Sequence, residues 1–407
     1  MAKKDAQVQE NIALNLTQVT DYLAKHHEAN IKAQENGFKP VAVNLMGPAG
    51  VGKTSIARAL GEKYGIKTIV IDAATITDVG DLLGLPVRYF EVQRDESTKW
   101  VPDNVVKAIT HEGWHVTGKI ETRFAHNGVL ANLEPYGVLI IDDYTRANPF
   151  VTQGMMPIIL EQGFLSFQLP IGWTVVATTN PDNGEYQVAT MDAAQMGRMI
   201  HIDVKQDTSV WALWAERKGF NDQAINFMLK FPEILNDQTF GVSARSMSLA
   251  LQVAGDKLTS PEHAFFVRTA MSGSVGAQVY QFLQTFINYG MDKLMPVADF
   301  FEKPMPAIVK KFNEDTKSKG NGNVTNVRHD ICSIYATRVA NFMSTLPQDA
   351  SVDYMKRLFD ILDNDELFTI ELKCTIAMRW AESNHPLVKE LLKEESMKTK
   401  FRGWLFR

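Results

Sequence analysis

A glycine-rich stretch between an apolar run and a helical pattern constrains the fold of this chain more than any other feature. The run VAVNLM (residues 41–46) leads into GPAGVGKTS, and an amphipathic pattern follows directly. The stretch fits the phosphate-binding pattern G-x-x-x-x-G-K-[ST], in which backbone N–H groups and a helix N-terminus surround phosphate oxygens. The alternative is a chance glycine loop. We predict that a nucleotide is bound by Gly47, Pro48, Ala49, Gly50, Val51, Gly52, Lys53, Thr54 and Ser55.

Four further apolar runs predict that this strand belongs to a parallel sheet. They cover residues 68–72, 138–142, 173–178 and 199–204, with helical patterns between them. Strands that are apolar throughout are typical of parallel sheets covered by helices on both faces. The predicted fold is an α/β P-loop NTPase core followed by helices. We expect a helix within residues 1–37 that starts near residue 8, the α/β core in 38–205, a small helical domain in 206–256 and an all-helical C-terminal domain in 257–407.

Composition limits the class of protein. Of the 407 residues, 45% are hydrophobic and 22% are charged, which is typical of a globular chain of two or three domains. The net charge of −5 gives no overall positive field, so a nucleic-acid partner is unsupported but not excluded. The two cysteines fit neither a disulfide framework nor a zinc spacing, and the first residues lack the apolar core of a signal peptide. We expect a cytoplasmic protein without a membrane-spanning segment.

Two adjacent acids, Asp142 and Asp143, follow the predicted strand VLII. Ligands of open α/β sheets bind at the carboxyl ends of the strands. We predict that Asp142 and Thr54 hold Mg²⁺ and that Lys53 neutralises the β and γ oxygens of ATP. Asp143 would then orient and activate the attacking water. The alternative is that Asp143 merely caps the segment that follows.

An amide, Asn180, follows the predicted strand WTVVAT at the same edge of the sheet. A neutral amide there can contact the γ-phosphate or the attacking water without adding charge. The letters NPDNG, which begin at Asn180, are also a good turn, and a turn alone would explain them. The assignment gains weight because Asn180 comes third, after the phosphate loop and the two acids.

With these motifs in this order, the chain resembles the AAA+ ATPases and, within them, the MoxR-like branch. The resemblance implies that Asn180 is sensor 1, that Arg245 is the sensor 2 arginine of a helical lid, and that Arg198 is the arginine finger reaching a neighbouring subunit's nucleotide. Arg198 could instead be an ordinary cation at a helix C-terminus, and Arg245 part of a salt bridge at a helix start. Arg146 matches a family arginine near the subunit boundary. The similarity covers about residues 38–256 and is carried by GPAGVGKTS, DLLGLP, IIDDYTRANPFVTQGMMPIILEQG, ATTNPDNGEY, MDAAQMGRMIHI and GVSARSM.

The same resemblance implies a function. Such proteins hydrolyse ATP with Mg²⁺ between the subunits of a homo-oligomer, usually a hexameric ring. They remodel or activate a protein client in a chaperone-like manner, often with a partner that carries a von Willebrand A domain. Two alternatives stay open: a nucleic-acid-processing AAA+ motor subunit, and a scaffold gated by slowly hydrolysed nucleotide. The second rests on Asp143, because the family usually has glutamate at this position.

Two alternating stretches predict hairpins, in residues 88–101 with a turn at 94–97, and in residues 164–173. In the MoxR-like branch, an insert in the second helix and a hairpin before sensor 1 would be the elements that move partner molecules. A solvated surface hairpin without a partner explains either stretch about as well. The polar, glycine-bearing residues 313–326 predict a mobile loop between helices.

The letters HEGWH fit the zinc protease pattern H-E-x-x-H, which requires both histidines on one helical face. Gly113 commonly ends a helix in the left-handed conformation, and Val116 and Thr117 favour extended chain. His111 and His115 would therefore point apart. We reject zinc chemistry here and interpret both histidines as surface residues.

Overall fold

The computed structural model describes residues 13–405, except for 79, 82–83, 126–127, 129, 131–132, 165–166, 182–190, 192, 238–240, 256–257, 261–272 and 320–324. The chain divides into two compact units, residues 1–205 and residues 206–407. Each unit is described by itself. Within the described part of the chain, no helix combines the length and apolar character needed to cross a membrane.

The first unit alternates strands and helices around a central sheet. Its helices are α1 (Leu16–Glu35), α2 (Lys53–Tyr64), α3 (Asp103–His111), α4 (Pro149–Glu161) and α5 (Ala193–Met196). Its strands are β1 (Ala42–Met46), β2 (Lys67–Asp72), β3 (Leu85–Arg94), β4 (Ser97–Pro102), β5 (His115–Ala125), β6 (Gly137–Asp142), β7 (Gly163–Phe164), β8 (Phe167–Gln168), β9 (Trp173–Thr179) and β10 (Met199–Asp203).

The central sheet has the strand order β10-β1-β9-β6-β2, and every neighbouring pair is parallel. These are the strands expected from the apolar runs, and the prediction of a parallel α/β core is confirmed. Because all five strands run the same way, their carboxyl ends share one edge of the sheet. The glycine-rich loop after β1, the acids Asp142 and Asp143 at the end of β6, and Asn180 after β9 all lie at that edge.

Side chains of the central strands alternate between two apolar layers, as the period of two requires. Val138 and Ile140 of β6 pack in a cluster with Leu23 of α1 and Leu60 of α2. Their neighbours Leu139 and Ile141 pack on the other face, in a cluster that includes Met155, Ile158 and other residues of α4. The sheet is therefore covered on both faces, which explains why its strands are apolar throughout.

The N-terminal helix α1 is fixed to the sheet and not separate from the core. It begins at Leu16 after a capping box between Asn15 and Gln18; the predicted start near residue 8 lies outside the described residues. His27 is buried on α1, and its Nδ1 lies 2.7 Å from the hydroxyl oxygen of Thr174 in β9. Burial lowers the pKa of His27, so its ring is held neutral in the core.

Residues 85–125 form a second, antiparallel sheet with the order β4-β3-β5, and α3 packs on it. The predicted hairpin at 88–101 is confirmed, with Asp95 in the left-handed region at its turn. The strand β5 was not predicted. His111 ends α3 and His115 begins β5, with Gly113 at φ +86° between them, so the two histidines do not share a helical face. The second predicted hairpin is a two-residue pairing of β7 with β8.

The second unit is helical apart from one short antiparallel pair. Its helices are α6 (Thr208–Arg217), α7 (Asp222–Lys230), α8 (Glu233–Asn236), α9 (Ala244–Ala254), α10 (Gly273–Asn288), α11 (Asp299–Glu302), α12 (Met305–Thr316), α13 (His329–Thr345), α14 (Val352–Asp363), α15 (Ile370–Glu382), α16 (Pro386–Leu391) and α17 (Glu395–Leu405). The pair consists of β11 (Lys317–Lys319) and β12 (Thr325–Val327).

One hydrophobic cluster runs through the second unit, from Trp211 in α6 to Phe401 in α17. Phe227 of α7 and Phe286 of α10 meet edge to face at 5.6 Å between ring centroids, across the predicted boundary at residue 256. The division into a helical lid and a C-terminal helical domain stays a prediction. The loop predicted for residues 313–326 was wrong at its described ends, because α12 continues to Thr316 and residues 317–319 pair with 325–327 as β11 and β12; residues 320–324 lie outside the described residues.

Candidate nucleotide-binding site

The phosphate loop occupies residues 47–52, between the end of β1 and the start of α2. Gly50 and Gly52 have φ of +76° and +113°, in the region that favours glycine. Gly47 has no room for a side chain, because a Cβ there would lie 2.5 Å from the carbonyl oxygen of Val204. Its N–H donates to the carbonyl of Thr179 at 3.2 Å. The start of the loop is therefore fixed against the two strands beside β1.

Lys53 is the first residue of α2, and its side chain reaches back into the loop. It is only 6% exposed. Its Nζ donates to the carbonyl oxygens of Gly47 at 2.8 Å and Pro48 at 3.0 Å, and to Oδ1 of Asn180 at 3.0 Å. A buried cation thus lies at the positive end of a helix, which is the arrangement that attracts phosphate.

Asp142 ends β6 beside the first turn of α2. Its Oδ1 accepts hydrogen bonds from the hydroxyls of Thr54 at 2.7 Å and Thr178 at 2.6 Å. Carboxylate and hydroxyl oxygens are hard ligands that suit Mg²⁺. Because Thr54 and Asp142 bring two such oxygens within hydrogen-bond distance at the phosphate loop, these residues fit a Mg²⁺ site.

Asp143 follows with φ of +50°, a left-handed conformation that is uncommon outside glycine. Its N–H donates to the hydroxyl oxygen of Thr178 at 3.0 Å. Its Oδ1 accepts from Nδ2 of Asn180 at 3.1 Å, and its Oδ2 lies 3.6 Å from Nε of Arg146. The carboxylate makes no capping hydrogen bond to the short helix Tyr144–Arg146 that follows, so the capping alternative does not describe its contacts.

Five of the predicted residues of the first unit fall into two groups. Lys53, Asn180 and Asp143 form one chain of hydrogen bonds, and Thr54 and Asp142 form a second link beside it. Thr178 joins the two, because its hydroxyl contacts Asp142 and the backbone of Asp143. Five separate predictions from the sequence therefore meet at the carboxyl edge of the sheet.

Arg198 does not join this group. It precedes Met199, which pairs with Ala42 at the amino edge of the sheet, whereas Gly47 lies at the carboxyl edge beside Val204. At about 3.3 Å per residue, Arg198 lies about 20 Å along the strand from its own phosphate loop. A guanidinium at that distance does not reach the nucleotide of its own chain.

Arg245 belongs to the second unit. It is exposed, at the second position of α9, which Ser243 caps through a capping box with Ser246. Among the described residues, no ion pair involves Arg245, so the alternative of a salt bridge at the helix start has no support there. Its role as sensor 2 stays a prediction.

Two polar residues of the sheet, Thr178 and Asn44, were not predicted from the sequence. Thr178 lies in a run that is otherwise mostly apolar, although its hydroxyl joins the two acids. Asn44 is fully buried in β1; its Oδ1 accepts from the hydroxyl of Thr179 at 3.2 Å, and its Nδ2 lies 3.1 Å from Nδ1 of His201. The sequence does contain a signal for both residues: each is a polar side chain within a mostly apolar strand. A polar side chain is usually buried in a strand only when it has a hydrogen-bond partner.

Taken together, the fold and the site define a class of protein. Residues 42–199 match the family model described as AAA domain (dynein-related subfamily). The chain thus contains an AAA domain, with the P-loop AAA+ fold of a five-stranded parallel sheet followed by a helical C-terminal region. The AAA+ part of the predicted resemblance is confirmed; the narrower MoxR-like assignment stays a prediction.

Solved structures of one bacterial protein are also similar to this chain. The Thermotoga maritima RuvB Holliday junction branch migration motor is 16% identical over 72% of this chain and 76% of its own, with a TM-score of 0.34. A point variant of the same protein is 14% identical over 70% of this chain and 75% of its own, with a TM-score of 0.35. No curated protein matches the chain.

Proposed function

We propose that this chain is an AAA+ ATP hydrolase of the MoxR-like kind, which works as a ring and remodels or activates a protein client. The observation that carries the proposal is the connected set of Lys53, Asn180 and Asp143 beside Thr54 and Asp142. This set supplies a buried cation for phosphate, oxygen ligands for a metal, and a carboxylate next to an amide. Those are the parts that phosphoryl transfer to water requires.

In this mechanism Lys53 and the N–H groups of the loop bind the β and γ phosphates of ATP. Thr54 and Asp142 would hold Mg²⁺, which offsets negative charge on the phosphate oxygens. Asp143 would accept the proton of the attacking water as that water adds to the γ-phosphorus, while the bond from the γ-phosphorus to the bridging oxygen breaks and ADP leaves with that oxygen. Asn180 spans Lys53 and Asp143, so its amide orients the group that binds phosphate and the group that binds water.

Hydrolysis would be completed in trans. Arg198 lies at the opposite edge of the sheet from its own loop, which suits a group that acts on a neighbouring subunit's nucleotide. A guanidinium supplied there stabilises the charge of the transferring phosphoryl group. A head-to-tail interface repeated about an axis closes into a ring, and we propose a hexamer. Arg245 would contact the nucleotide as sensor 2.

In our proposal, the energy of ATP hydrolysis is used to change the conformation of a protein client. A partner with a von Willebrand A domain would deliver the client, and the sheet of β3, β4 and β5 would be one of the moving elements. We place the reaction in the cytoplasm.

The experiment that tests the proposal is ATP binding and phosphate release by the wild-type chain and by Lys53→Ala. Loss of a charge-assisted contact of about 1.5–3 kcal/mol predicts about 10- to 100-fold weaker binding of a fluorescent ATP analogue, and loss of hydrolysis. Lys63→Ala, at an exposed position on the same helix, is the matched control and should behave as wild type. Wild-type protein that neither binds ATP nor releases phosphate would overturn the proposal.

A second candidate, a nucleotide-gated scaffold with slow turnover, has one observation in its favour. The carboxylate of Asp143 is shorter than the glutamate expected there, and it is already engaged by Asn180 and faces Arg146. An attacking water would have to displace or share these contacts. A slow hydrolysis step would then keep the ATP-bound state long-lived.

A further inference from the structure

We propose that Thr178 is a positioning residue that keeps the metal-binding acid and the water-activating acid in their separate orientations. The inference rests on the proposed function, since it assigns Asp142 to the metal and Asp143 to the water. It concerns a hydroxyl on the neighbouring strand β9 that neither the phosphate loop nor the acid pair contains.

The geometry gives this hydroxyl two different partners. Its proton goes to Oδ1 of Asp142 at 2.6 Å, and its oxygen accepts the N–H of Asp143 at 3.0 Å. A hydroxyl has one proton and two lone pairs, so it can serve both acids at once. An apolar side chain of the same shape can serve neither.

Both contacts occur where the backbone turns. Asp142 is the last residue of β6, and Asp143 adopts φ of +50° immediately after it. If the strand continued without a turn, the side chains of Asp142 and Asp143 would point to opposite faces of the sheet. Here the left-handed residue redirects the chain, and the bond from the Asp143 N–H to Thr178 holds that turn in place. The orientation of the Asp143 carboxylate therefore depends on Thr178 as well.

Burial makes the contact expensive to lose. Thr178 is fully buried, so its hydroxyl has little access to water in place of its protein partners. Asp142 also accepts the hydroxyl of Thr54 through the same Oδ1. If the hydroxyl oxygen of Thr54 bound a metal, Thr178 would remain as the hydrogen-bond donor to the Asp142 carboxylate. Partners of this kind tune metal affinity although they do not touch the metal.

The adjacent Thr179 provides a matched control on the same strand. It is equally buried and is also a threonine, but its hydroxyl donates to Oδ1 of Asn44 in β1. Removing that hydroxyl should perturb the sheet without perturbing the two acids. The comparison separates a specific role of Thr178 from the general cost of a lost buried hydrogen bond.

The experiment measures the dissociation constant of a fluorescent ATP analogue with Mg²⁺ and with EDTA, for the wild-type chain, Thr178→Val, Thr178→Ser and Thr179→Val. The quantity compared is the ratio of the two constants, which reports the contribution of the metal. Circular dichroism and the melting temperature of each sample verify folding. If Thr178→Val does not fold, Thr178→Ala takes its place, because it removes the hydroxyl without putting a methyl group against Asp142.

We expect Thr178→Val to reduce the Mg²⁺-dependent gain in affinity about tenfold, in line with other partners of metal ligands, with affinity in EDTA close to wild type. Thr178→Ser and Thr179→Val should keep the gain. An unchanged gain in folded Thr178→Val, or an equal loss in Thr179→Val, would overturn the role of Thr178 while the proposed function stands. Failure of the wild type to bind nucleotide at all would overturn the proposed function instead.

Discussion

The chemistry assigned to this chain depends most on one residue, Asp143. Its carboxylate accepts a hydrogen bond from the side-chain amide of Asn180 and lies near Arg146, while its backbone N–H donates to the hydroxyl of Thr178. Aspartate has one methylene fewer than the expected glutamate, so its carboxylate reaches less far from the same backbone. The rate of hydrolysis should therefore respond to this side chain more than nucleotide binding does.

Substitution of Asp143 tests this separation. Asp143→Asn should lower kcat for ATP hydrolysis by about 100-fold or more, the usual contribution of a general base, while the dissociation constant for ATP stays near the wild-type value. Steady-state phosphate release and equilibrium binding measure the two quantities. Asp143→Asn that hydrolyses ATP at the wild-type rate would exclude Asp143 as the base.

The reverse substitution discriminates between the two candidate functions. Asp143→Glu restores the length that the family usually has. A strong rise in kcat would identify the native chain as a slow switch, whereas an unchanged or lower kcat would favour the ATP-driven remodelling factor.

At this scale, the sequence predicted residues whose type and order carry a known chemistry. Lys53, Thr54, Asp142, Asp143 and Asn180 follow strands of a parallel sheet, so their convergence could be inferred from the strand ends alone. Thr178 could not be assigned in this way. A threonine is common in strands, and its partners are fixed by which strand lies beside β6, information that only the three-dimensional register contains.

Among the elements, helix α13 carries a buried arginine that connects it to helices α6 and α7 of the second unit. Arg338 is only 2% exposed and is paired with Glu216 of α6 and Asp222 of α7, and its guanidinium also donates to Oδ1 of Asn226 at 2.8 Å. Burial is the largest influence on Glu216 and raises its pKa, while Arg338 acts in the opposite direction. Each charge in this cluster is tolerated because the other is present.

Removing the arginine should therefore be costly. Arg338→Met is expected to lower the free energy of unfolding by about 3–5 kcal/mol, because Glu216 is left buried without its partner. Urea denaturation followed by circular dichroism measures the change.

Two comparisons identify the cause. The double variant Arg338→Met with Glu216→Gln should recover part of the loss, since the buried carboxylate is neutralised and the carboxylate that remains, Asp222, is 41% exposed. Lys393→Met, which breaks an exposed pair with Glu390, should have little effect. Equal losses in the single and double variants would show that packing, and not the unpaired charge, causes the instability.

Helices and strands could be predicted where burial imposes a periodic pattern of apolar residues on the sequence. Exposed elements were harder to predict. The strands of the central sheet are apolar because both faces are covered, and the sequence identified all of them. The strand β5 pairs with β3 but is largely exposed, and its polar letters give little strand signal. The loop prediction for residues 313–326 was wrong at the described ends for a related reason. The polar, glycine-bearing letters are typical of a loop, yet the described ends continue a helix and form a short antiparallel pair of strands.

For the whole molecule, the proposed assembly follows from the distance between Arg198 and the phosphate loop within the first unit. The phosphate loop and Arg198 lie at opposite edges of the sheet, so one chain cannot bring both to the same nucleotide. In the proposed ring, head-to-tail contact between copies would bring Arg198 of one copy to the phosphate loop of the next. Catalysis would then depend on the interface between copies.

Mixing inactive subunits tests that arrangement. Arg198→Ala keeps its own Asp143, and Asp143→Asn keeps its own Arg198, so some interfaces of a mixed ring are complete. An equal mixture should regain about a quarter of the wild-type rate of phosphate release if subunits mix at random and each interface acts alone.

The double variant Arg198→Ala with Asp143→Asn is the control, because mixing it with Arg198→Ala completes no interface. No recovery at any ratio, or a wild-type monomer whose rate per mole is indifferent to dilution, would argue against shared sites.

Strand β10 begins next to Arg198 and ends at Asp203, and the carbonyl of the following residue, Val204, leaves no space for a side chain at Gly47. Covalent backbone thus connects the two edges of the domain, and the connection ends in direct steric contact. Because the backbone is continuous from Arg198 to Val204, a shift of β10 along its own axis would change the contact between Val204 and Gly47. In the proposed ring, a displacement of Arg198 in one copy would therefore also displace the residues that contact the phosphate loop of that same copy.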